Sequence, residues 1–324
     1  MQKIASIALA AAIIATAAMS NATAQGYPDR PIHLIVGFAP GGTGDIVGRI
    51  VGAQLSAELH QSVVVENRPG GGGTLAARDV SNAAPDGYTL AVAQTPEIAI
   101  NPHFMKDVGY EPLTDLQPIA LTGVVPLGLV VPSTSPFSTA AQWVAGLRAG
   151  QTMTFASAGV GTPGHIAGEL LKLKLDNKLV HVPYKGAGPA MNDVAGGQVD
   201  FYFPGFPAAV PLTQAGKVKL LGVSSAKRTP AAPDLPTVAE VTGIANFDFT
   251  LWVGFFGPRG LPKELSARLN SAINKVIAEP DIKARLQDNG AEVSALSIDQ
   301  FRQFVQSEID RYDAIIKAAN LKAE

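Results

Sequence analysis

Apolar residues in this chain gather in short β-branched runs, and after a glycine or proline break each run gives way to apolar positions three or four apart. The stretch Ile32 to Gly48 shows the pattern best. Ile-His-Leu-Ile-Val reads as a buried strand and Pro40-Gly41-Gly42 ends it. Ile46, Val47, Ile50, Val51, Leu55 and Leu59 then recur at helical spacing, with Thr43 or Asp45 available to cap the first turn. A glycine turn feeding a helix leaves backbone N–H groups unpaired and gathers partial positive charge, so it suits a small anion.

The same alternation continues. Ser62 to Glu66 reads as strand, Gly70 to Gly73 as a break, Thr74 to Ala84 as helix and Tyr88 to Ala93 as strand, with Gln94 to Glu97 where that strand ends. The βαβαβ order favours a parallel sheet with ligands near the strand C-termini. Pro102 to Pro118 is turn-rich, and Ile119 to Val131 reads as strands crossing into a second domain. There Ser138 to Gly150 is an amphipathic helix, Met153 to Ser157 a strand, Ala158 to Gly164 a glycine turn and His165 to Leu175 a helix, repeating the opening unit. Leu179 to Pro183, Val199 to Phe203 and Lys219 to Ser224 read as further strands, with short helices over Pro189 to Ala195 and Leu212 to Gly216. Phe249 to Phe256 reads as the strand returning to the first domain, and Pro262 to Ala278, Pro280 to Asn289 and Ile298 to Leu321 as helices packed on it. Two crossings make two lobes, 25–127 with 251–324 and 128–250, around a cleft and a hinge.

Composition narrows the function. The 324 residues are 47% hydrophobic with a net charge of −2, and no dense Lys/Arg run offers a footprint for nucleic acid. The absence of cysteine excludes disulfides, thiolate metal sites, lipoprotein anchoring and cysteine catalysis. Lys3, the apolar run Ile4 to Met19 and Ala22-Thr23-Ala24 form a secretory signal with an A-x-A cleavage site, residues 1–24, so the mature chain is expected in the periplasm. His33, His60, His103, His165 and His181 are scattered without metal-ligand spacing, and no cofactor is expected. A dinucleotide-binding oxidoreductase is the enzymatic rival, with Glu66 ending strand two, but Gly42, Gly44 and Gly48 give G-x-G-x-x-x-G, the wrong spacing. Ser157 near His165 is the tempting serine–histidine pair and lacks a nucleophile elbow.

Several segments carry a resemblance over essentially the whole mature chain: Pro-Gly-Gly-Thr-Gly-Asp at 40 to 45, Val-Glu-Asn-Arg-Pro-Gly at 65 to 70, Ala-Pro-Asp-Gly-Tyr at 84 to 88, Ala-Ser-Ala-Gly at 156 to 159, Val-His-Val-Pro-Tyr-Lys-Gly at 180 to 186 and Leu-Pro-Thr-Val-Ala-Glu at 235 to 240. In these the chain resembles the tripartite tricarboxylate transporter solute receptors, the Bug or TctC family. The resemblance implies an α/β, two-lobed, type II periplasmic-binding (Venus flytrap) fold, hinged on two crossing strands. The implied protein is not an enzyme. It is expected to act as a monomer that delivers a small carboxylate, a dicarboxylate or an aromatic acid, to a membrane permease; the same fold also serves periplasmic sensor inputs.

The resemblance implies that a carboxylate is held between two loops, here Phe38 to Asp45 and Ser157 to His165. The first offers the Gly42 and Thr43 amides, the Thr43 hydroxyl, Asp45 as cap or water-ordering group and Phe38 as wall; an ordinary strand-to-helix turn would carry the same glycines. The second offers Ser157, Gly161, Thr162 and His165 as donors. Gln94 and Thr95, and the segment Phe201 to Phe206 with Phe203 and Pro204 in its turn, are expected to set specificity. Many relatives carry an acid and Asn after the position of Phe203. Pro204-Gly205-Phe206 stands here instead, which suggests a less polar or aromatic distal group, unless these aromatics pack the hinge.

Overall fold

The first β-branched run forms β1 (Ile32–Val36), and the periodic stretch after it forms α1 (Thr43–Leu59). Gly48 and Gly52 let α1 lie close on Val92 and Leu34 of the sheet beneath. The computed structural model describes residues 26–318; the expected signal at 1–24 and the expected helix end at Leu321 lie outside the described residues.

Next come β2 (Val63–Asn67), α2 (Thr74–Ser81), β3 (Thr89–Gln94) and β4 (Leu116–Pro126), with a π-helical turn at Pro96–Ile100 and helical turns at Asn101–Phe104 and Pro112–Asp115 inside the expected loop region. The chain crosses at Leu127 into β5 (Gly128–Pro132), α3 (Ala140–Arg148), β6 (Thr154–Ser157), α4 (Pro163–Lys174), β7 (Val180–Pro183), α5 (Ala187–Ala195), β8 (Phe201–Tyr202), α6 (Phe206–Gln214), β9 (Val218–Val223) and α7 (Val238–Thr242). It returns through β10 (Thr250–Pro258) and ends in α8 (Lys263–Ala278), α9 (Pro280–Asp288) and α10 (Ile298–Ala318). Phe301, Val305, Tyr312 and Ile316 of α10 are buried, each large apolar side chain contributing about 1.5–3 kcal/mol.

One sheet has the order β2-β1-β3-β10-β4 and the other β7-β6-β8-β5-β9. The expected parallel arrangement holds for β2, β1 and β3 and for β7, β6 and β8, with Ile32 opposite Val63 and Thr154 opposite Val180. It fails for β10, which runs antiparallel to β3 and β4, and for β5, antiparallel to β8 and β9. The reason is geometric: a strand arriving from the other lobe enters the sheet at its cleft end, where the parallel strands finish, and can only run against them. Apolar patterning cannot signal this, because a strand covered on both faces reads the same in either direction.

Ser224, fully buried, ties the two crossings together. Its amide donates to Leu127 O at 2.9 Å, its Oγ accepts from Leu127 N at 3.1 Å and donates to Phe249 O, and its carbonyl accepts from Phe249 N at 3.0 Å.

Candidate functional site

A cavity lies between the lobes where the parallel strands end. Phe38, Gly42, Thr43, Gln94 and Pro96 line it from one side, Ala158, Thr162, Gly164, Ala187, Tyr202, Phe203 and Gly205 from the other, and Leu127 and Leu251 of the crossings close its floor. It is narrow, with about 30 Å³ of room for water centres. No lining residue carries a formal charge. Four helices begin on its wall: α1 at Gly42 and Thr43, α4 at Thr162, α5 at Ala187 and α6 at Gly205. First-turn N–H groups have no acceptor within their helix, so each start adds partial positive charge to the cavity.

In the first loop Gly42 occupies the N-cap position without a side-chain bond, so neither Thr43 nor Asp45 caps α1 in the expected way. Thr43 Oγ1 makes no hydrogen bond among the described residues. Asp45 stands off the cavity wall: its carboxylate accepts from Gly41 N at 3.0 Å, Arg49 Nε at 2.9 Å and Asn67 Nδ2 at 3.0 Å. Burial alone would raise its pKa, but these three bonds outweigh burial and hold it below the usual carboxylate range. Asp45 therefore braces the loop.

Gln94 is the polar wall residue the sequence placed well. Its Oε1 accepts from Gly44 N at 3.1 Å, which settles the amide's orientation and leaves Nε2 as the donor. Thr95 turns away and accepts from Trp252 N at 3.0 Å.

In the second loop Thr162 reaches the cavity, while Ser157, Gly161 and His165 stand behind it. Ser157 Oγ bonds Gly159 O, Gly159 N and, at 2.7 Å, His181 Nε2, so the serine's histidine partner is His181 rather than His165, its neighbour in the tempting pair set aside above. Gly161, at φ +76°, donates its N–H to His165 Nδ1 at 3.2 Å. His165 stacks on His181 with ring centroids 4.2 Å apart, and burial, then the neighbouring His181, pushes its pKa down to about 3. A neutral imidazole bonded in this way fixes the loop's shape. Local side-chain-to-backbone bonds have captured three groups whose chemistry would also suit a carboxylate.

Phe203 lines the cavity with its ring packed on Trp143, Phe201 and Phe247. Pro204 does not line it, and its carbonyl accepts from Gly128 N at 2.8 Å in the hinge. Phe206 packs against Gly290 of the other lobe, which is the hinge role weighed as the alternative. Tyr202 lies inside the Phe201 to Phe206 segment expected to set specificity, though it was not singled out there; its hydroxyl makes no hydrogen bond among the described residues, and burial raises its pKa, so it remains an O–H donor. Gly164 and Gly205 fall within the expected segments without being singled out, and Ala187 lies outside them, because a residue acting through its backbone leaves little trace in sequence.

Glycines seal the cleft mouth. Ala39 N donates across it to Lys185 O at 3.2 Å, and Gly186 and Gly188 sit so close to Ala39 and Pro40 that no side chain fits between. Outside this seam lies a groove of about 630 Å³, walled by Phe38, Gly70 to Gly73, Met105, Val160, Tyr184 and Lys185. Among the described residues no group of His, Asp or Glu could hold a metal ion, and no helix is long and apolar enough to cross a membrane.

A family model, the tripartite tricarboxylate transporter family receptor, matches residues 47–321. The chain belongs to this receptor family. The structure of the periplasmic binding protein BugD is similar to it at a TM-score of 0.87 and 32% identity, covering 92% of this chain and 100% of that one. The R. palustris protein Rpa4515, solved with adipate, has a TM-score of 0.87 and 32% identity over 91% of this chain and 99% of its own. MatC of Rhodopseudomonas palustris, solved with bound malate, has 0.83 and 33% over 90% and 100%. These likenesses make the protein a two-lobed solute receptor of the periplasmic-binding type. In this receptor the family-matched segment starts at Val47 in α1, so Gly42 and Thr43 stand just upstream of it.

Proposed function

We propose that this receptor is exported to the periplasm, closes its lobes, 25–127 with 251–324 and 128–250, on one small carboxylate, and hands that solute as a monomer to the permease of a tripartite tricarboxylate-type transporter. The observation that carries the reading is the convergence of four helix starts from both lobes on one uncharged cavity. Each start stabilises an anion by about 0.3–1 kcal/mol, more where water is excluded, so four contribute about 1–4 kcal/mol. A micromolar solute requires about −8 kcal/mol in all. The Thr43 and Tyr202 hydroxyls, Gln94 Nε2 and the Gly42, Thr43 and Gly164 amides supply hydrogen bonds for the remainder, and charged acceptors strengthen each of them.

Phe38, Phe203, Leu127 and Leu251 provide apolar surface for the body of the solute, which favours a dicarboxylate or an aromatic acid. Malate and adipate, the solutes of two relatives, lie within that class. The test is thermal unfolding and calorimetry of the mature protein with malate, adipate, benzoate, aspartate and ATP. A saturable stabilisation by one or more of the carboxylates is expected, growing with the logarithm of concentration above Kd. Stabilisation by ATP alone, or by none of the acids, overturns the reading.

A further inference from the structure

Glu97 is an acid where the site has no evident use for one. It is the second residue of the π-helical turn after β3, is 2% exposed, and follows the cavity-lining Pro96. One carboxyl oxygen, Oε1, accepts from Gln94 N at 2.8 Å. The other, Oε2, has no hydrogen-bond partner among the described residues and lies beside Gly73, on the side that the Phe38 ring also approaches. Gln94 in turn accepts from Gly44 N at 3.1 Å, in the first turn of α1. The bonds thus run from Glu97 to the Gln94 backbone, and from the Gln94 side chain to the helix start that lines the cavity.

We propose that Glu97 works as an uncharged acid, positioning the donor face of the cavity through Gln94, and that its ionisation weakens solute binding. This rests on the carboxylate reading above. A neutral carboxyl accepts the Gln94 N–H through its carbonyl oxygen and keeps its proton on the second oxygen. An ionised one would place an uncompensated negative charge behind Phe38 and Gln94, in the same lobe that grips the solute's own carboxylate.

The main-chain N–H groups of Gln94 and Glu97 favour the ionised carboxyl, but less than burial opposes it, and no neighbouring charge adds to them. The Tyr110 hydroxyl bonds the Glu97 main-chain carbonyl, not the carboxyl. Packed against the turn, α10 brings Glu308, Arg311 and Asp313; Arg311 is engaged by Glu308 and Asp248, and Asp313 by Lys317 and His103. The glycine turn at Gly71–Gly73 and β3 carry no charged side chain, Arg78 of α2 lies against Gly109, and His33 of β1 is held by Glu66. Burial accordingly pushes the Glu97 carboxyl up to about 8.

The experiment compares the full mature wild type with Glu97→Gln, a neutral isostere that keeps an acceptor, and Glu97→Met, which has none. Affinity for malate and adipate is measured from pH 6.5 to 9.5, hydrogen exchange of the Gly44 amide by NMR, and ligand-free unfolding from pH 5 to 9. The wild type is expected to bind about tenfold more weakly at pH 9 than at pH 7, while Glu97→Gln stays flat. Glu97→Met is expected to bind more weakly at every pH and to exchange the Gly44 amide at least about tenfold faster. Without ligand, the melting temperature of the wild type is expected to fall relative to Glu97→Gln as the pH rises from 5 to 8.

Parallel pH profiles for wild type and Glu97→Gln, or unchanged Gly44 exchange in Glu97→Met, overturn the proposal. Should neither diacid bind any of the three proteins at any pH, the carboxylate reading falls, while Gly44 exchange and the ligand-free unfolding profile still decide the role of Glu97.

Discussion

Replacing Gly188 by alanine should separate closure from folding. Gly188 lies in the first turn of α5, its φ is ordinary, and alanine is the better helix former by up to about 1 kcal/mol. A Cβ there would nevertheless fall 2.2 Å from Pro40 O, a main-chain atom of the opposite lobe. Ordinary contact begins near 3.4 Å, so the loop and the helix must part by about 1.2 Å (3.4 − 2.2). That shift stretches the 3.2 Å bond from Ala39 N to Lys185 O beyond bonding distance and withdraws Gly42 from Ala187 at the cavity wall. The lost hydrogen bond costs about 0.5–1.5 kcal/mol and the strained packing about 1–3 kcal/mol. Together they put a penalty of about 1.5–4.5 kcal/mol on the closed state, which raises Kd at least about tenfold. Calorimetry with the carboxylate that binds the wild type measures this, and ligand-free unfolding checks that the lobes are intact. An affinity within about threefold of wild type refutes the reasoning. So does a ligand-free melting temperature lower by more than about 4 °C, which would mean that the lobe itself was damaged.

Two other outcomes follow from single contacts. Gly205→Ala would set its Cβ 2.2 Å from Thr43 Oγ1, a side-chain atom able to rotate, so a milder loss of about 3–10-fold in affinity is expected; adding Thr43→Ala should relieve part of it, and calorimetric additivity of the two changes would argue against contact across the cleft. His165 is neutral in the folded protein, with a pKa of about 3 against an ordinary 6.5, so its contribution is fully present above pH 6.5 and is lost as pH falls towards 3. At pH 4.5 the deficit is about 2–3 kcal/mol, and His165→Gln should flatten that part of the acid-unfolding curve; an unchanged curve would show that the imidazole titrates freely.

The sequence made the strand–turn–helix units and both crossings legible, because a buried β-branched run followed by 3.6-residue spacing has few other solutions. It hid the start of α6, where Pro207 and Pro211 sit within Phe206–Gln214; a proline in the first turn is compatible with helix, but a second one inside suggests a break. It extended β8 over Val199 to Phe203, whereas only Phe201–Tyr202 pairs in the ladder. At the site, donor types were readable and their directions were not. Ser157, Gly161 and His165 have the right chemistry, but nearer partners in their own loop and on β7 have taken it up. Thr43, Gln94 and Thr162 reach the wall because they stand at the first residue of a helix, the last of a strand and the N-cap of a helix, respectively.

The antiparallel strands missing from the expected sheets also explain why the cavity suits an anion at all. Because β5 and β10 enter their sheets from the hinge, every parallel strand in both lobes finishes at the cleft, and each helix that follows begins there. Helix starts then face each other across the gap whatever side chains they carry, so the recognition of an acid group proposed above would follow from the topology. Discrimination between acids is left to the few side chains the topology does not dictate: Phe38, Gln94, Tyr202, Phe203 and Leu251. None of these is charged. A solute whose second polar group is fully ionised must find its partner through hydrogen-bond donors rather than a counter-ion, and changes at these five positions should alter which acid is bound before they alter whether one is.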